Sequence, residues 1–237
     1  MNKLTIITLT YNNFEELVKT IESCRDIPHC ENLIINGGSC ERTLAFLNNS
    51  SLRHISEQDK GIANAFNKGV LNTTTEFIQF INSGDILSRR SYIDEAIKHL
   101  VQDDSIGYIH SNLELKNGKV LKPKFGNIGL GMPFLHPTLI HRKALYDKVG
   151  LFDENFKIAM DYDWAVRLSK LDVKGHYLSL VSIMMDDAGT SVQNEKEAFR
   201  ECYTSLCVRN AVSASSLLGF GWRYAKFAIR SFLWSFC

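Results

Sequence analysis

The chain has 237 residues, 45% hydrophobic and 22% charged, enough for one large globular unit with a sizeable core or one unit with an appendage. A formal net charge of +1 excludes a whole-molecule electrostatic footprint for nucleic acid, and with no run of eighteen uncharged apolar residues a conventional membrane span is not expected. Six cysteines without a CxxC pair or metal-ligand spacing, behind a start that carries no sustained apolar leader, give the expectation of a reducing cytoplasm.

Leu4 to Thr10 is a β-rich run ended by Tyr11-Asn12-Asn13, and Phe14 to Cys24 has helical spacing with Leu17, Val18 and Ile21 on one face. Leu33-Ile34-Ile35 reads as a second strand closed by Asn36-Gly37-Gly38-Ser39, followed by a helix from Thr43 to Leu47. His54-Ile55-Ser56 is a third short strand, then come Glu57-Gln58-Asp59-Lys60-Gly61 and a helix from Ile62 to about Val70. Phe77 to Ile81 reads as a buried strand that stops on the turn formers Asn82-Ser83-Gly84-Asp85, and a helix follows from about Tyr92 to Val101. Residues 1–101 therefore alternate strand and helix four times, the pattern of a mainly parallel central sheet in a three-layer α/β sandwich.

Further on, residues 106–121 read as a strand and a hairpin turning on Asn117-Gly118, and residues 122–135 as a loop. His136 to His141 is strand-like, Lys143 to Val149 helical and Gly150 to Asp153 a turn. Asp161-Tyr162-Asp163-Trp164 opens a helix with acids in its first turn, where the helix dipole favours them.

Three strand ends carry polar residues: Thr8, Thr10 and Tyr11; then Asn36-Gly37-Gly38-Ser39; then Ser83-Gly84-Asp85. In an open α/β sheet all three fall on the rim where ligands bind. No Gly-x-Gly-x-x-Gly and no P-loop motif is present, so the usual dinucleotide and P-loop sites are excluded. On these residues alone two readings stand: a ligand rim, or a tight turn at Gly37-Gly38, a rim aromatic at Tyr11 and a turn-forming Asp85 that accepts a backbone N–H.

Taken in order, six motifs tilt that balance: Thr8-Leu9-Thr10-Tyr11-Asn12, Asn36-Gly37-Gly38-Ser39, Ser56 to Ile62 with Asn67-Lys68-Gly69, Asn82-Ser83-Gly84-Asp85, Gly150 to Glu154, and Asp161-Tyr162-Asp163. With them the chain resembles the family 2 glycosyltransferases of bacterial surface-polysaccharide assembly, whose fold is the GT-A nucleotide-sugar fold. The resemblance spreads over most of residues 3–192 and implies a catalytic domain 1–192, with a nucleotide-binding half 1–101 and an acceptor-binding half 102–192.

The implied donor is a nucleoside-diphosphate sugar, a UDP-sugar by expectation. Tyr11 would stack on its base, and Thr8 and Gly37 would contact the nucleoside. Thr10, Asn12, Asn36, Asp59, Asn64, Ser83 and Gly84 complete the implied donor site, with Lys60 near the phosphates. Asp85 matches the last acid of the family's Asp-x-Asp motif, which holds Mg²⁺ or Mn²⁺ against the diphosphate. Asn82 and Gly84 stand where other members carry Asp, and Asn36 where many carry an acid. Asp161 matches the base that takes the acceptor hydroxyl's proton in an inverting transfer, with Asp163 as its nearest rival. His136 and His141, on the acceptor side, are read as structural.

Residues 195–212 read as a helix, and after Glu201 no acid occurs. Arg223, Lys226 and Arg230 form one helical stripe amid Phe and Trp, so residues 193–237 are expected to be a helical tail whose part 213–237 lies on a membrane surface. The whole reads as a cytoplasmic, membrane-peripheral hexosyl- or N-acetylhexosaminyltransferase with a lipid-linked glycan acceptor. Two alternatives remain: a catalytically silent nucleotide-sugar-binding scaffold subunit and a sugar nucleotidyltransferase, the latter without a Gly-rich, Arg- and Lys-bearing N-terminal signature.

Overall fold

Strand β1 (Leu4–Thr10) is buried along its whole length because its two sides face different cores. Leu4 and Ile6 enter one, Ile7 and Leu9 the other, as a near-continuous apolar run does inside a parallel sheet. In the computed structural model, residues 2–124, 128–186 and 194–222 are described. On either side of β1, β2 (Cys30–Asn36) and β4 (Phe77–Phe80) pair with it in parallel, and β3 (Arg53–Ser56) adds to β2, also in parallel.

Helices α1 (Phe14–Ser23), α2 (Glu41–Asn48) and α3 (Ile62–Leu71) connect these strands. Leu17 and Ile21 of α1 and Leu47 of α2 close over Ile34 on one face of the sheet. Ala63, Phe66 and Val70 of α3 pack on Ile7, Leu33 and Ile78 on the other. The three layers expected from the sequence are present.

Beyond β4 the chain runs through β5 (Ile86–Leu87), α4 (Ser91–Gln102), β6 (Ile106–Leu115), β7 (Val120–Leu121) and β8 (Ile140–Arg142). It continues through α5 (Leu145–Val149), α6 (Met160–Leu168), β9 (Lys174–Met185) and α7 (Glu195–Val208). The sheet order is β3-β2-β1-β4-β8-β6-β9-β5, with β7 on the side of β6. β8 is antiparallel to both β4 and β6, and β5 to β9, so the parallel pattern of residues 1–101 gives way to a mixed sheet in the second half.

Two local expectations change. Residues 136–141 are not one strand: His136–Thr138 form a 3-10 turn, where Pro137 lacks an N–H that the first turn does not need, and only then does β8 begin. Residues 106–115 form one continuous strand rather than a strand plus the start of a hairpin, although the Asn117-Gly118 turn does pair β7 with β6.

At the C-terminal end α7 packs on α6, with Leu206 buried beside Tyr162 and Val166. Residues 214–222 are helical, and Phe220 is buried against the rings of Phe199 and Tyr203, 5.0 and 5.6 Å away. Leu218 and Trp222 point outward, 76% and 65% exposed. Among the described residues no helix is long and apolar enough to cross a membrane. The cationic stripe at 223, 226 and 230 lies outside the described residues.

Candidate donor and base site

Because β1 to β4 are parallel, their carboxyl ends share one rim, and direct bonds tie the loops there together. The Gly37 N–H donates to Thr10 O (3.1 Å), the Glu57 N–H to Asn36 O (3.1 Å) and the Ser83 N–H to Leu9 O (3.0 Å). Asn13 Oδ1 accepts from both Thr10 Oγ1 (2.8 Å) and Ser83 Oγ (2.9 Å), linking the ends of β1 and β4. Asn12, at a left-handed φ of 53°, accepts the N–H groups of Ser39 and Cys40 at the start of α2. The structure therefore gathers Thr10, Tyr11, Asn12, Asn36, Gly37, Asp59, Ser83, Gly84 and Asp85 at one edge.

Their environments differ. Tyr11 is 71% exposed, an aromatic face open to a ligand. Thr8 is buried two residues below the rim. Asn36 is buried, its amide nitrogen donating to Gly38 O and Ser56 Oγ while its oxygen accepts the Gly38 N–H, so it shapes the Asn-Gly-Gly-Ser loop from inside. Asp59 pairs with Lys68 of α3 (2.8 Å), which also reaches Glu57 (2.9 Å). Lys60 is exposed; its backbone N–H donates to Asn64 Oδ1 (3.3 Å), and Asn64 in turn donates to Glu154 (3.0 Å).

The turn after β4 carries the acid. Gly84 has φ +106°, a conformation that a side-chain-bearing residue resists. Thr20 of α1 pins the turn, accepting the Gly84 N–H (3.0 Å) and donating to Asp85 O (2.8 Å). The Asp85 carboxylate accepts the Asn82 N–H (3.2 Å), as a turn-forming Asp would, but the residue is also buried, only 7% exposed. Burial pushes its pKa up to about 7, opposed by the Asn82 N–H and by the charge of Lys116. Beside it Asn82 Oδ1 is buried with no hydrogen-bond partner among the described residues. A desolvated carboxylate and an unsatisfied amide oxygen in one turn are hard oxygen donors, and they fit Mg²⁺ or Mn²⁺.

Asp161 is the second residue of α6, half-buried, with Oδ1 on the Tyr162 N–H (2.7 Å). Burial lowers the pKa of His136, opposed by the charge of Asp161, and the His136 ring stacks on Phe80 at the end of β4, 5.5 Å away. Met160, the first residue of α6, shares a hydrophobic core cluster with Phe80, the last residue of β4 before the Asn82–Asp85 turn. Asp163 has a different setting. It is fully buried and gripped by Arg167 Nε (2.9 Å), Arg209 Nε (2.9 Å) and Ser205 Oγ (2.9 Å), which leaves it no room to act as a base. His141 is buried against Tyr146 and Trp164, its Nε2 3.1 Å from the Tyr146 hydroxyl. Four residues that sequence reasoning gave no role stand out: Asn13, Lys68, Glu154 and Glu201. The first three lie within or beside the quoted motifs; Glu201 had no local signal.

The sequence profile of glycosyl transferase family 2 matches residues 5–159, well over half of the chain. The chain belongs to glycosyl transferase family 2. Within this family it is 24% identical to an uncharacterized glycosyltransferase of Rickettsia typhi over 213 residues, covering 79% of this chain and 65% of the relative. It is 22% identical over 177 residues to an uncharacterized glycosyltransferase of Mycobacterium tuberculosis, covering 69% and 68%. Among solved structures it is similar to residues 1–349 of Staphylococcus aureus TarS in complex with UDP-GlcNAc, with TM-score 0.66, 18% identity, and 86% of this chain and 66% of that one covered. It is also similar to the mannosyltransferase PcManGT of Pyrobaculum calidifontis in complex with GDP-Man and Mn²⁺, with TM-score 0.66, 15% identity, and 96% and 75% covered. These likenesses establish the GT-A fold. The chain spans about two thirds of the length of the Rickettsia relative, and Asp161 lies two residues past the end of the family match.

Proposed function

We propose that this family 2 chain transfers a hexose or N-acetylhexosamine from a nucleoside-diphosphate sugar, a UDP-sugar first among them, to a glycan acceptor with inversion. The observation that carries the reading is the placement of an exposed Tyr11 and a buried Asp85 at the carboxyl ends of adjacent parallel strands, with Met160 at the start of α6 in the same core cluster as Phe80 at the end of β4. Tyr11 would stack on the base, while Gly37 and Asp59 would bound the nucleoside. Thr8, Thr10, Asn12, Asn36, Asn64 and Ser83 would shape or line the donor site, with Lys60 and the Gly84 turn on the phosphate side.

Asp85 and Asn82 would hold Mg²⁺ or Mn²⁺, which when bound neutralises charge on the leaving diphosphate. Among the described residues no three His, Cys, Asp or Glu side chains converge on a metal site, so the bound donor would supply several of the ligands. Asp161 would accept the proton of the attacking hydroxyl. The outward Leu218 and Trp222, followed in sequence by a cationic aromatic stretch, support attachment of the C-terminal segment to a membrane face and a lipid-linked acceptor.

The reading is tested by thermal shift with a panel of UDP- and GDP-sugars with and without Mn²⁺, then by release of nucleoside diphosphate from the best binder. Asp161→Asn is expected to lower that release by about a thousandfold while donor binding stays within about twofold; wild-type turnover in the variant removes Asp161 as the base. A scaffold subunit, favoured by Asn82 and Gly84 standing where relatives have acids, would bind the donor and never release diphosphate.

A further inference from the structure

The carboxylate of Glu201, on α7, accepts three consecutive backbone N–H groups: Lys157 on Oε1 (2.9 Å), and Ile158 and Ala159 on Oε2 (2.8 Å each). Ala159 is the N-cap of α6, so a helix more than forty residues away in sequence supplies the acid that would otherwise have to come from a local cap. The site is nearly sealed, with Glu201 only 8% exposed. A carboxylate at the positive end of a helix with several N–H donors is held strongly in both position and charge.

The same face of α7 makes a second hold. Ser205 and Arg209, at four-residue steps from Glu201, bond the buried carboxylate of Asp163, and Arg209 continues to Asp153 (2.5 Å). Asp161 lies midway between these anchors, two residues after Ala159 and two before Asp163. Between them the backbone of residues 159–163 has little freedom to swing, and the direction of the Asp161 side chain follows from it.

We propose that Glu201 is a positioning residue for Asp161, and that α7 completes the catalytic site rather than merely following it. This rests on the reading of Asp161 as the base. The role differs from that of a cap that only stabilises a helix, because proton transfer tolerates misplacement by well under an ångström, whereas fold stability does not demand such accuracy. Glu201→Gln keeps the shape but removes the charge and one of the two acceptor oxygens that the three N–H groups need.

The test is a double-mutant cycle with Glu201→Gln and Asp161→Asn, reading release of nucleoside diphosphate from the best-binding donor with Mn²⁺ present. Glu201→Gln is expected to lower kcat about tenfold with the donor KM within about twofold, and to cause no further loss in the Asp161→Asn background, because a mispositioned base that is already absent cannot be lost again. Equal losses in both backgrounds, or a lowered Tm with unchanged kcat, overturn the proposal while leaving the base assignment standing. Full turnover in Asp161→Asn alone overturns the base assignment, and the positioning role with it. If Glu201→Gln does not fold, Glu201→Asp, which keeps the charge but draws the oxygens back by one methylene, is measured in the same cycle and read by the same criteria.

Discussion

Gly37 leaves the space that the Asp59 carboxylate fills: a Cβ on residue 37 would lie 1.8 Å from Asp59 Oδ2 and 2.8 Å from its Cγ. Asp59 cannot simply rotate aside, because Lys68 holds its other oxygen at 2.8 Å. Gly37→Ala is therefore expected to push Asp59 off Lys68 and deform the rim between β2 and α3. The expected outcome is a donor affinity lowered by about tenfold, with a fall in Tm of several degrees because the two side chains of the pair are only 16% and 13% exposed. Calorimetric titration with the nucleoside diphosphate and a melting curve on the same sample check both parts.

Asp161 and Asp163 look alike in sequence, two acids in the first turn of one helix, and the structure separates them. Asp163 is fully buried between Arg167, Arg209 and Ser205. Asp163→Ala would leave two guanidinium groups without their shared partner, and removing one member of such a buried network destabilises by about 3–5 kcal/mol. For a chain of this size that corresponds to a Tm lower by roughly 6–20 °C. Asp161→Asn is expected to leave Tm within about 2 °C, since among the described residues its carboxylate bonds only the adjacent N–H and its surroundings are half-open. Melting the two variants side by side decides it.

How much of this was legible beforehand follows from where each signal resides. The β1 to β4 pattern is local: β1, β2 and β4 each hold a short apolar run, β3 is a brief polar strand around Ile55, and each loop motif sits at the strand end that the parallel topology assigns to the rim. Tyr11, Gly37 and Asp85 could thus be placed from sequence. Strand β9 could not, because Lys174-Gly175-His176-Tyr177 at its start neither alternates nor forms an apolar run, and its pairing with β6 includes register shifts. Short β5 is held by its distant partner β9 and by Ser23 of α1, whose hydroxyl accepts the Leu87 N–H, and its two residues carry no sign of either. The roles of Asp163 and Glu201 depend on contacts more than forty residues away in the chain, and no spacing rule reaches that far.

The buried Asp85 gives a pH dependence whose sign can be worked out. With its folded pKa raised to about 7 by burial and an unfolded value of about 4, the folded protein without metal holds the proton more tightly than the unfolded chain. Its contribution to stability is therefore fully present below pH 4 and is lost as pH rises toward 7. Metal binding runs the other way, since a cation must displace that proton. The Mn²⁺-dependent gain in donor affinity is expected to be full near pH 8 and to fall by up to about tenfold per unit below pH 7. Donor titrations at pH 5.5, 6.5 and 7.5, with Asp85→Asn as a control that shows little gain at any pH, check the sign.

Tyr11 offers the sharpest separation of binding from folding. At 71% exposed it buries little on folding, and among the described residues no side-chain hydrogen bond anchors its ring in the core, so Tyr11→Ala should change Tm by no more than about 1–2 °C. If the ring is the platform for the donor's base, its removal forfeits stacking worth about 1–3 kcal/mol, a loss of roughly five- to 150-fold in affinity for the nucleoside diphosphate. Tyr11→Phe keeps the π face and should retain most of that affinity, whereas Tyr11→Leu keeps bulk without the ring and should not. Equal affinities for the Phe and Leu variants would mean that residue 11 only shields the rim, and the base would have to be held by Gly37, Asp59 and the loop around them. The comparison needs no acceptor, so it can be made before the acceptor is known.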